Sequence, residues 1–322
     1  AQDTALISSG YAVVHSAGND TIAALTINSG NSLNISGGSL AVSGVTTLGG
    51  GLTVSDSGNA TLNGALNGGT SGVLTISGGN LSLAATSTVN ALNMTGGTLS
   101  GAGSVSVTNS FNQTGGSINK TGSLSINQSS GALTAGNITA NTLGLTSAAT
   151  VTQLTGTSIT VPGLLTVAAS QGIALNNSTN AVSSFTANNT GTGNLSLKNV
   201  AAPLTVQNVT NTGGNIEIEN TGAIVVAGAV TASGSITKIA HSPITINSGA
   251  SITSGGSLTL TAGSAGSTAA GDTVTINGSV SGSSVTLAGN SVAGNIPAGA
   301  TIQASTNPAP TPTPTPKPTP KP

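Results

Sequence analysis

Gly193-Asn194-Leu195-Ser196-Leu197 returns as Gly214-Asn215-Ile216-Glu217-Ile218, in part as Gly234-Ser235-Ile236, and again as Gly256-Ser257-Leu258-Thr259-Leu260. The lead glycines lie 21, 20 and 22 residues apart. A related phrase runs through the N-terminal half, where Gly38, Gly58, Gly79, Gly97 and Gly116 are spaced by 20, 21, 18 and 19. A fixed period near 20 residues marks a repeat architecture, in which each repeat buries its apolar side against its neighbours.

Within the second half each repeat holds three strand-like pieces. Leu195-Ser196-Leu197 is followed by Leu204-Thr205-Val206 and then by the stretch at Val209; Ile216-Glu217-Ile218 is followed by Ile224–Val226 and Val230. Three short alternating strands per repeat, separated by Gly, Asn and Ser corners, predict an all-β chain coiled into a triangular parallel β-helix. Alternation sends Leu, Ile and Val inward and Thr, Ser and Asn outward. Asn and Gly are expected at corners because both tolerate positive φ. The first half fits the same scheme: Leu33, Leu52, Leu74, Leu92 and Phe111 open strand units 19, 22, 18 and 19 residues apart. From about 120 to 171 the strand units persist but the period blurs, which predicts irregular coils rather than a domain boundary. Residues 262–272 (AGSAGSTAAGD) lengthen one coil and are expected to loop off a corner. One solenoid body over residues 1–306, of some 15 coils about 4.8 Å apart, makes a rod on the order of 70 Å.

Residues 307–322 are of another kind. Pro recurs at every second position from Pro308 to Pro322, mostly with Thr or Lys between. Proline cannot join a sheet ladder, so this segment is expected to be an extended polyproline tail, serving as a stalk or as a solvated end. Ala1-Gln2-Asp3-Thr4 resembles a processed mature end, and a fragment boundary would look the same. Residues 5–14 (ALISSGYAVV) are expected to cap the first coil.

Composition narrows the chemistry. Of 322 residues, five are Lys and six are carboxylates; there is no Arg, Cys or Trp. The formal net charge of -1 offers no steering toward nucleic acid, and no apolar run reaches the length of a membrane span. Without Cys there are no disulfides or thiolate metal sites. The carboxylates Glu217 and Glu219 form the close pair: two apart on a strand they share one face, near the separation that glycosidases use. Flanked by inward Ile216 and Ile218, they read instead as solvated charges on an outward face. His15 and His241 stand apart and read as structural corner residues. No calcium-binding glycine-aspartate repeat is present, so the expectation is no catalytic, cofactor or metal site. Asn-x-Ser/Thr triplets, as at Asn34, Asn80 and Asn208, arise by chance in so Asn-rich a chain. Phe111 and Phe185 belong to strand units and are expected in the core.

The Gly-Asn-Leu-x-Leu coils between Gly172 and Leu287, with the Pro/Thr/Lys tail, resemble filamentous haemagglutinin-type adhesins and related β-helical autotransporter passengers of bacterial surfaces. That resemblance implies a right-handed β-helix, an extracellular or cell-surface setting and a non-catalytic role. The expected function is an adhesive or structural rod whose partners are a host or neighbouring-cell surface or matrix polysaccharide. Two alternatives stand beside it. One is a filament subunit that self-associates through its solenoid ends, favoured by low charge. The other is an ice-binding or polysaccharide-binding face.

Overall fold

The computed structural model describes residues 3–240, 243–263 and 271–304. About 60% of the chain is strand, wound as a β-solenoid of about 14 turns with about 20 residues per turn, and the described residues include no helix. Thr4–Ile7, Ala12–His15 and Asn19–Ile22 form the first coil. Each pairs in parallel with its equivalent one coil on: Ala24–Ile27, Ser32–Ile35 and Ser39–Val42. Repetition of this step builds three faces around one axis. The tail (307–322), His241 and most of the 262–272 insertion lie outside the described residues.

The second face carries the register predicted from the repeated phrase. Leu33, Leu52, Leu74, Leu92 and Phe111 stand in one column. Leu195, Ile216, Ile236 and Leu258 stand in another, continued below by Ile173 and above by Val285. Such strands are covered on both sides by wrapping the sheet around its own core. Inward Leu, Ile and Val are almost wholly withdrawn from water and form one contiguous cluster from Ile7 to Leu287. Burying one such side chain contributes about 1.5–3 kcal/mol. Phe111 and Phe185 are in this core, as expected.

Between 120 and 171 the coils keep their pitch. Leu124 pairs with Leu143 and Leu143 with Leu165, steps of 19 and 22 residues. The blur arises because the strand units merge: Ile159–Ala169 turns a corner without interruption, with a register shift between Val161 and Leu164. One true irregularity lies at the start of this stretch. The second-face ladder breaks between the strand ending at Gln113 and Leu133–Ala135, so that a 29-stranded and a 9-stranded sheet result. Glutamine side chains take over there. Gln128 Oε1 accepts from Phe111 N at 2.7 Å, and Gln113 Oε1 accepts from Gly136 N at 3.0 Å. Backbone groups left by the broken ladder are thereby satisfied.

The lead glycines are required by close approach. Gly79 has φ of +56°, and a Cβ there would collide with Gly58 O in the coil below. Residues 5–14 are part of the stack itself. They supply strands of the first coil, and Leu6, Tyr11 and Val14 are exposed on it.

Ile216→Asn should lower unfolding free energy by a few kcal/mol, because it buries an unpaired amide between Leu195 and Ile236. Glu217→Gln, one residue on and outward, should stay within about 0.5 kcal/mol of wild type. Denaturant unfolding of the two variants checks this; equal losses would mean the inward and outward register is wrong.

Candidate functional surfaces

Asparagine works differently from the expectation of positive-φ corners. Among the described residues the non-glycine positive φ values belong to Ser9 and Asp56. Asn180, Asn189, Asn199, Asn211 and Asn220 instead turn their side chains into the solenoid, each no more than 3% exposed. Asn189 Nδ2 donates to Asn211 Oδ1 at 2.8 Å, and Asn199 Nδ2 donates to Asn220 Oδ1 at 3.0 Å one strand unit away. The remaining donors and acceptors serve backbone at the bends. Asn199 Oδ1 accepts from Val182 N at 2.7 Å, and Asn220 Nδ2 donates to Ala201 O and Ala223 O, both at 2.8 Å. A bend leaves peptide groups without a ladder partner, and a stacked amide supplies both a donor and an acceptor.

The charged groups are dispersed. Glu217 and Glu219 face outward as read. Glu219 is engaged by Lys198 Nζ at 3.1 Å on the neighbouring strand, while Glu217 lies between Ser196 and Thr237. The two carboxylates thus have different surroundings, one carrying an ion pair and the other facing solvent. His15 ends a strand of the first coil, with Nε2 2.9 Å from Asp20 Oδ2 and Nδ1 2.9 Å from Gly37 O. Among the described residues no three His, Cys, Asp or Glu converge in a metal-binding group.

Two lysines are placed where composition gives no hint of them. Lys120 and Lys238 point into the core, at 1% and 0% exposure. Strand alternation carries the signal: Ile118-Asn119-Lys120 and Ile236-Thr237-Lys238 each put a lysine two residues beyond an inward isoleucine. Lys120 stacks on Gly101, which has no side chain to obstruct it. Its Nζ donates to Ser100 O at 2.8 Å and past it to Leu83 O at 3.1 Å. Burial lowers its pKa to about 8. Lys238 sits between Ile218 and Leu260 in an apolar column. Its Nζ has no hydrogen-bond partner among the described residues, and burial lowers its pKa to about 7.

The outer surface is small, polar and nearly uncharged. On the first face Thr88, Ser106, Ser125, Gly144 and Thr166 succeed one another coil by coil. They line an open trough of about 430 Å³ parallel to the axis, with no ionised group on its walls. Thr142 Oγ1 donates to Ser123 Oγ at 2.8 Å along one side. The threonine file is broken by Gly144 and by Asn67, so it is not the uniform ladder an ice-matching face needs.

No family model, curated protein or solved structure matches this chain. What it shares with other proteins is therefore the stacked parallel coil of β-helical repeat proteins in general.

Asn199→Ala should cost about 1–3 kcal/mol, because Val182 N–H and C=O lose their partner inside the solenoid. Asn93→Ala, on an outward strand position, should be close to neutral. Chemical denaturation of both variants measures the difference.

Proposed function

We propose that this chain is a non-catalytic β-solenoid rod, secreted or displayed on a bacterial surface, that acts by adhesion or as structural matrix. The observation that supports this most is the surface itself. Three long faces of Ser, Thr, Asn, Gly and Ala run past coil after coil, while the few titratable groups are scattered, paired or buried. Enzymes concentrate perturbed acids, bases and cations in one cleft. A rod that binds through many weak, repeated polar contacts along its length needs no such cluster. The partner chemistry this surface suits is neutral and hydroxyl-rich, as in a cell-surface or matrix polysaccharide, laid along the trough from Thr88 to Thr166.

A second reading, growth of the stack into an extracellular filament, draws on the first coil. Among the described residues Thr4–Ile7, Ala12–His15 and Asn19–Ile22 pair with the coil that follows them, and Leu6, Tyr11 and Val14 are exposed on this first coil. Free strand edges with few charges accept further strands.

Purified protein should bind matrix polysaccharide or intact cells with little dependence on ionic strength, since few charges contribute. It should release no reducing sugar. Turnover abolished by the double change Glu217→Gln, Glu219→Gln would overturn the non-catalytic reading. Electron microscopy separates the two structural readings: discrete rods support the first, and fibres along the solenoid axis that are lost in Val13→Pro support the second.

A further inference from the structure

Two buried side-chain polar atoms among the described residues have no hydrogen-bond partner, Thr46 Oγ1 and Lys238 Nζ. A buried hydroxyl without a partner is a fixed penalty. A buried amine is different, because its cost depends on whether it carries a proton. Lys238 is held from both sides by aliphatic side chains, Ile218 in the coil before and Leu260 in the coil after. Within its own coil, Ile244, Ile246 and Ile252 also turn inward.

Among the described residues no charge is placed to compensate an ammonium there. On Ile216–Asn220 the two glutamates face outward, and Ser257–Ala262 carries no titratable group. Among the described residues the other buried titratable group nearby is Asp272, beside Gly263 in the following coil, which is engaged in interactions of its own, and Lys238 Nζ makes no hydrogen bond to it. The long step in the chain comes one coil later, after Ser257–Ala262. Ile244 meets Val274 after a step of 30 residues, whereas Ile224 meets Ile244 after 20.

We propose that the coil containing Ile236–Ala240 is a pH-gated weak rung, shut while Lys238 is a neutral amine and opened locally when Lys238 takes up a proton. In the closed rung the amine titrates near 7, and in an opened, hydrated rung it returns to its ordinary 10.5. Between those values opening takes up one proton. The opening equilibrium therefore grows about tenfold for each unit of falling pH, and levels off below the closed-state value, where both forms are protonated. The rung is tightest in alkaline solution and weakest from neutral pH downward. Lys120 provides the contrast inside the same molecule, since its Nζ already donates to two carbonyls.

Hydrogen exchange on the full chain, from about pH 7 to 9.5 and corrected for the intrinsic amide rate, tests this. Protection of Ile216–Asn220, Ile236–Ala240 and Ser257–Ala262 should fall about tenfold per pH unit as pH drops, while Ser32–Ile35 and Gly51–Val54 stay level. Lys238→Met, which continues the aliphatic column, should raise protection of these strands and remove the slope. Lys238→Gln should also remove the slope while keeping protection low, because a buried amide is unpaired at every pH. A pH-independent wild type, or a slope that survives in either variant, would overturn the proposal.

Discussion

Every strand in this protein must find its hydrogen-bond partners in the coils before and after it, about 4.8 Å away. That single constraint orders the rest. It forces the chain to return to the same place after about 20 residues, and it turns each inward position into a column shared by all coils. It also narrows the interior. An inward polar group has only its vertical neighbours or the bends to partner with. The interior solves this in three ways: amide on amide at Asn189 and Asn211, glutamine on orphaned backbone at Gln113 and Gln128, and lysine on carbonyls at Lys120. Thr46 and Lys238 are the places where no solution is made among the described residues.

The regular columns are legible in the sequence because their period is carried by residues with no other role. Leu195, Ile216, Ile236 and Leu258 repeat with a glycine and a polar corner before them, and nothing competes with that reading. Where strands merge around a corner, as in Ile159–Ala169, the three-part rhythm disappears although the pitch does not. Corner asparagines are harder. The residue tolerates positive φ and also hydrogen-bonds in both directions, so its type alone does not say whether backbone or side chain is in use. Only the register reveals that Asn199 and Asn220 stack.

The outward surface follows the same division. Glu217 and Glu219 are placed correctly by alternation, one residue removed from inward Ile216 and Ile218. That Lys198 reaches Glu219 depends on a 21-residue offset known only once the coils are aligned. The buried lysines were within reach of the alternation rule, and composition hides them, because long charged side chains belong almost always to the surface. The trough on the first face has no sequence signature at all, since it comes from the shape of the stack and from a missing side chain at Gly144.

Lys120 has a mechanical meaning. In a simple solenoid each coil feels only the one on either side, and unravelling travels one coil at a time. By lying over Gly101 and reaching Leu83 O, the Lys120 ammonium fastens a coil to the second one below it. A peeling front arriving from either end must break this tie as well as the ladder when it reaches the first of the tied coils. The tie adds a bond spanning two coil steps to the ladder a front must break, so this stretch acts as a clamp partway along the rod.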